Sequence, residues 1–259
     1  MIEEIIRVTE TVLAQRDKQE KEEKKTNHHP PDGGGNKGHL IVDATVAPAD
    51  IKFPTDHDLL NQAREKSELL IDMLHKAFGG KIKPRTYRQK TRAEYLSLAK
   101  NRNKSRKALN KGIGKQLRYL RRNLKTIEKT LDAGQQARLA AGQARCFPLA
   151  YKYQRTYWII QELYRQQKQM YDNKSHRTAH RIVSISQPHI RPIVRGKSGK
   201  EVEFGAKISL SLANGSCSLH KISWDAYNES GDLKSQIETY KQRYGFYPEK
   251  VSADQLYGT

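Results

Sequence analysis

The chain has 259 residues, which is long enough to bury a sizeable core in one or two domains. Its formal net charge of +20 predicts a polyanionic partner, either nucleic acid or an anionic membrane surface. No run of about 18 apolar residues and no apolar signal-peptide core occurs, which argues against the membrane. Cys146 and Cys217 are too few and too far apart for a disulfide framework, so we expect a reduced, cytoplasmic protein.

Residues 1–37 are predicted to form a helix followed by a flexible linker. Ile2, Ile5, Ile6 and Val12 make a partial apolar stripe at helical spacing. The Pro-Pro pair and the three consecutive glycines of residues 26–38 are typical of a linker.

Residues 39–46 are predicted to form a core strand. Leu40, Ile41 and Val42 follow one another without a charge, as in a strand that is buried on both faces. Asp43 then interrupts the apolar run, and a carboxylate in a buried strand is costly unless it is paired, hydrogen-bonded or bound to a metal. Two interpretations of Asp43 are open at this point: a structural carboxylate that bonds the backbone at a strand end, or a metal ligand.

A basic helical block is predicted over residues 56–180. Apolar spacing predicts helices over 56–78, about 91–132 and about 149–173. The simplest assembly is an antiparallel helical hairpin. Five apolar residues of the second helical region repeat at the spacing of a coiled-coil seam: Leu117, Leu120, Leu124, Ile127 and Leu131.

The positive charge is concentrated in a basic window, residues 81–129. This window holds 18 Lys and Arg against two acids, Glu94 and Glu128, and so carries a net +16 of the total +20. A merely solvated helix face usually carries both signs in i,i+4 pairs, which this window lacks. We therefore predict contact with a phosphate backbone, which by itself implies no sequence-specific readout.

The candidate DNA-binding residues are basic side chains of this window and of the basic loop near residue 190. They are Lys83, Arg85, Arg88, Lys90, Arg92, Lys104, Arg106, Lys107, Lys111, Lys115, Arg118, Arg121, Arg122, Arg191, Arg195 and Lys197.

After residue 180 the apolar pattern alternates with a period of two, which predicts strands. A short strand is predicted over 181–186 and a longer one over 201–212, whose even-numbered apolar residues point one way. Asn214-Gly215 predicts a tight hairpin turn. The return strand, over 216–226, changes its apolar register midway, which indicates a bulge.

A helix over 232–244 and a last strand over 250–257 complete the pattern. This last strand carries a second intruding acid, Asp254. Without the helical block the order of elements is β-β-β-α-β, with Asp43 on the first strand and Asp254 on the last.

Several blocks of this sequence resemble, in the same order, bacterial insertion-sequence transposases of the DDE class, in the IS-five-like group. The resemblance spans essentially residues 40–259. The blocks are residues 41–56 (IVDATVAPADIKFPTD), 184–197 (SISQPHIRPIVRGK), 202–209 (VEFGAKIS), 223–228 (SWDAYN) and Ala253-Asp254.

The resemblance implies an incomplete RNase H-like fold made of residues 38–55 and 181–259. Residues 56–180 are then a long helical insertion between the first and second core strands. The resemblance further implies that Asp43 and Asp254 are catalytic ligands of Mg²⁺ or Mn²⁺ on neighbouring strands. Family chemistry is metal-dependent cleavage and transfer of double-stranded DNA at insertion-sequence ends, in the bacterial cytoplasm next to the nucleoid, with a homodimer as the assembly to test.

The family's third carboxylate, a glutamate, lies on a helix well beyond the second aspartate, and this sequence ends at Thr259. We therefore expect a truncated transposase that binds DNA, holds metal weakly or not at all, and has little or no cleavage activity. The alternative is a non-catalytic basic nucleic-acid-binding protein in which Asp43 and Asp254 are structural. A zinc module using His176 and His180 has less support, because no other ligand lies nearby.

Overall fold

The structure is a computed structural model that describes residues 35–78, 82–143, 147–194 and 202–257. The helix and most of the linker predicted over residues 1–37 lie outside these ranges, as do Arg195 and Lys197. The described residues form a mixed α/β protein of two compact units. We call them the sheet unit (described residues of 35–49 and 192–257) and the helical unit (described residues of 50–191). The sequence-based division had placed these boundaries at residues 55 and 180.

The described part of the helical unit contains four α-helices: α1 (Asp56–Phe78), α2 (Arg88–Ala99), α3 (Arg106–Ala140) and α4 (Tyr151–Asp172). Helices α1, α3 and α4 share one apolar core, and the predicted seam of α3 is buried in it, with Leu124 partly buried. The helical region predicted over about 91–132 is helical, but it is divided, because residues 100–105 separate α2 from α3. Ser105 begins α3 as its N-cap, where its hydroxyl accepts a hydrogen bond from the Ala108 amide (3.2 Å).

The strand predicted over residues 181–186 is also wrong. This segment forms no strand in the described structure, although its apolar residues are buried. Ile182 and Ile185 pack into the core of the helical unit, and the Ile182 amide donates to the side-chain oxygen of Gln166 (2.9 Å). In this segment the apolar side chains pack against helices, and the Ile182 amide donates to a side-chain oxygen. A neighbouring strand is therefore not needed as a partner.

The sheet has five described strands: β1 (His39–Pro48), β2 (Arg191–Val194), β3 (Val202–Ala213), β4 (Ser216–Ser223) and β5 (Lys250–Ala253). Strand β3 is antiparallel to β1 on one side and to β4 on the other, and β5 is parallel to β1. Helix α5 (Leu233–Tyr244) connects β4 to β5. The predicted β-β-β-α-β order is thus confirmed, with the short β2 beside β3 as an addition.

The hairpin between β3 and β4 follows the sequence prediction. Asn214 and Gly215 have φ angles of 49° and 73°, the left-handed backbone that a two-residue primed turn requires. The β3–β4 register shifts between Ser209 and Leu210, and His220 is the extra residue on β4. The predicted bulge is therefore confirmed.

Helix α5 covers one face of the sheet, and this is not the face that carries Ile208, Leu210 and Leu212 of β3. Helix α5 covers the face that carries Leu40, Val42 and Ala213. Ser209 also lies on this face, fully buried, and the side-chain amide of Gln236 on α5 donates to its hydroxyl (2.8 Å). Ile208, Leu210 and Leu212 share the opposite face, as the alternation predicts, but they are only partly buried there. A partner amide on α5 makes burial of the serine tolerable, so polarity alone does not mark the exposed face.

Candidate functional site

The parallel pairing of β1 with β5 brings Asp43 and Asp254 to the same level of the sheet. The register ends with Val42 opposite Ala253, and each aspartate is the next residue in its chain segment. Neighbouring strands lie about 4.8 Å apart, so two carboxylates at this level can reach a common ligand. Strand β5 ends at Ala253 and a 3₁₀ turn follows, so Asp254 lies just after the strand and not within it as predicted.

Asp43 belongs to the face of the sheet opposite α5, and Asp254 follows the residue of β5 that pairs with Val42. Four residues before Asp43 and two before Asp254, the His39 ring contacts the Ser252 hydroxyl across the two strands (2.8 Å between Nε2 and Oγ). Side chains alternate along a strand, so Asp43 continues the row of His39, whereas Asp254 begins the turn that follows the row of Ser252. The tertiary structure therefore brings together the two acids that the sequence singled out.

Asp43 is exposed to solvent, which corrects the interpretation of β1 as a strand buried on both faces. Leu40 and Val42 are 1% and 2% exposed under α5, whereas Ile41 is partly buried on the other face. Because Asp43 is exposed, burial does not force it to find a partner. One of its oxygens accepts a hydrogen bond from the Ala44 amide (2.8 Å).

The pair has the donor chemistry for a hard divalent cation. Asp254, like Asp43, accepts a hydrogen bond from the next amide, that of Gln255 (2.6 Å), through one oxygen. Its other oxygen, and that of Asp43, make no hydrogen bond among the described residues. Such oxygens suit Mg²⁺, which keeps several waters and needs few protein ligands. No group of three His, Cys, Asp or Glu that could hold a metal occurs among the described residues, so the two aspartates are a pair rather than a closed cluster.

Tyr257 was missed by the sequence analysis, and it lies within the electrostatic influence of Asp43. Its side chain is buried, and its hydroxyl has no hydrogen-bond partner among the described residues. Burial raises the pKa of the Tyr257 phenol, and the negative charges of Glu229, Asp43 and Asp232 raise it further. Its hydroxyl therefore stays protonated next to this acidic region.

The Glu229 carboxylate already has a cationic partner, the ammonium group of Lys207. Lys207 on β3 forms an ion pair with Glu229 and also donates to the backbone carbonyl of Tyr227 (2.8 Å). A carboxylate that balances a partly buried lysine is poorly placed to act as a third metal ligand. The metal hypothesis therefore names Asp43 and Asp254 and leaves Glu229 out.

The basic window lies on α2, α3 and the loops of the helical unit. Most of its candidate DNA-binding residues are exposed and make no ion pair among the described residues. These are Arg85, Lys90, Arg92, Lys104, Arg106, Lys107, Lys111, Arg118 and Arg121.

Three other candidates are partly neutralised by acids. The count of acids within residues 81–129 missed two of these acids, because Glu68 and Asp72 lie on α1. The available positive charge is therefore smaller than the window's net charge suggests. The pairs are Lys83–Asp72 (2.7 Å), Arg88–Glu68 (3.1 Å), Arg88–Asp72 (2.8 Å) and Lys115–Glu94 (3.1 Å).

The remaining described candidates have local structural contacts. Arg191 donates to the carbonyls of Pro188 (2.5 Å) and Ile190 (3.0 Å), so it stabilises its own loop. Arg122 is partly buried and contacts aromatic rings. The two histidines of the zinc hypothesis follow α4 in an irregular segment, where His176 lies 3.6 Å from an Asp56 oxygen and no three-ligand group is described.

Comparisons of the chain with protein-family models, with curated proteins and with solved structures find no match. No helix among the described residues is long and apolar enough to span a lipid bilayer. Any functional assignment therefore depends on the geometry of the aspartate pair and on the distribution of charge.

Proposed function

We propose that this chain is a DNA-binding protein of the DDE transposase type. In this proposal Asp43 and Asp254 are ligands of a divalent metal on an RNase H-like sheet, and the helical unit supplies the surface for double-stranded DNA. The observation that carries the proposal is the position of the two aspartates, which are matched in register at the ends of the β1–β5 ladder.

The strand connections support the RNase H-like part of the proposal. In chain order, the first core strand is flanked by the second, which is antiparallel, and by the fourth, which is parallel. The third core strand lies on the far side of the second. This is the arrangement that the resemblance implies, with the first and fourth core strands side by side.

The two aspartates would hold Mg²⁺ or Mn²⁺ through their outer oxygens. Such an ion, when bound, polarises a phosphate oxygen and lowers the pKa of a coordinated water or hydroxyl. The role of the chain is to hold both carboxylates at one level of a hydrogen-bonded sheet. Two carboxylates place a second ion poorly, and a misplacement of about 1 Å can cost roughly 100-fold in rate. We therefore expect the 259-residue chain to bind DNA and to cleave it slowly or not at all.

Replacing Asp43 by asparagine is expected to abolish the binding of Mn²⁺, because the amide loses the charge that attracts the ion. Mn²⁺ binding is measured by the electron paramagnetic resonance signal of the free ion. Asp132→Asn, which removes an exposed carboxylate from α3, is the matched control and should bind as the parent does. Equal Mn²⁺ binding by Asp43→Asn and the parent would overturn the metal role. A change in stability without an effect of metal would favour the alternative, a non-catalytic protein with structural aspartates.

The affinity for duplex DNA is expected to fall steeply with salt. Each neutralised phosphate contributes about 0.9 to the magnitude of the slope of log K against log salt, so roughly five to eight contacts predict a magnitude of about 4.5 to 7. The anisotropy of a labelled duplex, measured between about 50 and 200 mM salt, gives this slope. A flat salt dependence would contradict the DNA-binding proposal. Binding to vesicles that contain anionic lipid, without binding to DNA, would assign the charge to a membrane surface.

A further inference from the structure

Tyr87 holds two guanidinium groups against one ring. The Cζ atom of Arg85 lies 4.5 Å from the ring centroid and that of Arg122 lies 4.4 Å from it, both within cation–π range. Arg122 is fixed further by the ring of Tyr119 (5.4 Å) and by a hydrogen bond to the Thr86 carbonyl (3.0 Å). The ring of Tyr87 therefore sets the positions of two like charges.

These two charges have no carboxylate to balance them among the described residues. Because both guanidinium carbons lie so close to one centroid, they can be no farther apart than the sum of 4.4 and 4.5 Å. Lys83 and Arg88, which flank this segment in the sequence, are paired with acids on α1. An anion is therefore the missing partner of this pair.

The backbone conformation of Tyr87 is unusual for an aromatic residue, which indicates that the ring has a role of its own. Its φ angle is 54°, a left-handed conformation in which a bulky side chain is strained and asparagine or glycine is more usual. Such strain persists where the surrounding structure maintains it, often at binding sites. The aromatic side chain at this position does what a typical left-handed residue cannot do, since it presents a face to cations.

We propose that Arg85 and Arg122, aligned by Tyr87, form a clamp for one phosphate group of the DNA backbone. A guanidinium binds phosphate through N–H···O bonds of about 2.8 Å, and the clamp requires that both groups contact the phosphate at the edge of the Tyr87 ring. Because the Tyr87 ring is already in contact with the guanidinium groups of Arg85 and Arg122, we assign the clamp to a phosphate and not to a base stacked on the ring. The inference rests on the proposed DNA-binding function and adds a fixed contact with a positioning residue, Tyr87.

Two substitutions at position 87 separate the ring from the charge, since neither changes the net charge. Tyr87→Phe keeps the ring and should bind duplex DNA as the parent does. Tyr87→Asn tolerates the left-handed backbone but removes the ring. It should lose roughly eightfold in affinity at about 0.1 M salt, with a salt slope lower by about 0.9, the effect of one lost phosphate contact. Equal binding by Tyr87→Asn and the parent would overturn the clamp.

Arg85→Gln tests the charge directly and should lose as much affinity as Tyr87→Asn. The double variant should lose no more than either single variant, because both remove the same contact. Arg177→Gln, an exposed guanidinium of the helical unit outside the basic window, is the matched control and should bind as the parent does. A loss in Arg177→Gln equal to that in Arg85→Gln would show a non-specific charge effect and overturn the clamp.

The failure of the clamp is distinguishable from the failure of the proposed function. If the parent does not bind duplex DNA, the proposed function fails. If the parent binds with a steep salt slope and the variants bind equally well, only the clamp fails. Far-UV circular dichroism checks that each variant keeps its helices, and Arg85→Gln alters an exposed side chain, which leaves the test decisive even if position 87 tolerates change poorly.

Discussion

Replacing Glu68 by leucine is expected to destabilise the helical unit by about 3 kcal/mol, because the buried Arg64 loses its buried carboxylate partner and keeps only the half-exposed carboxylate of Glu65 (3.2 Å). The side chains of Arg64 and Glu68 are 1% and 3% exposed, and their Nη1 and Oε1 atoms lie 2.6 Å apart. Asn61 also accepts a hydrogen bond from Arg64 (2.6 Å), but an amide oxygen carries no charge. The loss therefore includes much of the cost of burying a guanidinium whose remaining carboxylate partner, Glu65, is half exposed.

The unfolding of the helical unit is followed in a Trp224→Phe background, which leaves Trp158 of α4 as its fluorescent probe. The control is Glu65→Gln, because the side chain of Glu65 is 51% exposed and its contact with Arg64 should contribute within about 0.5 kcal/mol. The double variant Arg64→Met with Glu68→Leu should recover most of the loss, since an apolar pair of similar volume can replace a buried ion pair. A Glu68→Leu protein within about 1 kcal/mol of the parent would contradict the prediction.

Glu68 also connects the core to the proposed DNA surface. Its second carboxylate oxygen accepts a hydrogen bond from Nε of Arg88 (3.1 Å), the first residue of α2. Asp72, one turn later on α1, binds the same guanidinium (2.8 Å). These contacts hold the start of α2, and with it the segment that carries Tyr87, against α1.

Replacing Gly205 by alanine is expected to destabilise the sheet unit by at least about 3 kcal/mol, because the added methyl group has no space. A Cβ at this position would lie 2.0 Å from the carbonyl oxygen of Ala47 and 3.0 Å from its carbon. Both are backbone atoms of β1, so relief requires that β1 and β3 separate. Loss of this pairing would also displace Asp43, which lies farther along the same ladder opposite Leu210.

A Trp158→Phe background leaves Trp224 as the probe of the sheet unit, and chemical denaturation gives its stability. Gly231→Ala is the matched control, since nothing lies within 4 Å of the added Cβ and its φ is not in the left-handed range. We expect the control to stay within about 0.5 kcal/mol of the parent. Gly205→Ala should also lose Mn²⁺ binding if the aspartate pair holds the ion. Normal stability of Gly205→Ala would mean that the β1–β3 register is not as described.

The elements that sequence patterns predicted well are those decided by contacts within a short stretch of chain. The apolar repeat from Leu117 to Leu131 predicts a buried helix face because side chains three and four residues apart share one side of a helix. Asn214-Gly215 predicts its turn because these residue types tolerate a left-handed backbone. The errors, such as the strand over 181–186, arose where a buried apolar segment found helices instead of a strand as its partner.

The sequence by itself determined the locations of most helices and strands, the hairpin, and the concentration of positive charge in one window, because composition and short-range periodicity carry that information. Only the tertiary structure decided that Asp43 and Asp254 share one level of the sheet, since strand register depends on pairing between distant segments. It also decided which cations are balanced by acids on α1 and which two meet at Tyr87. Those contacts depend on how helices pack, and no spacing within one helix encodes them.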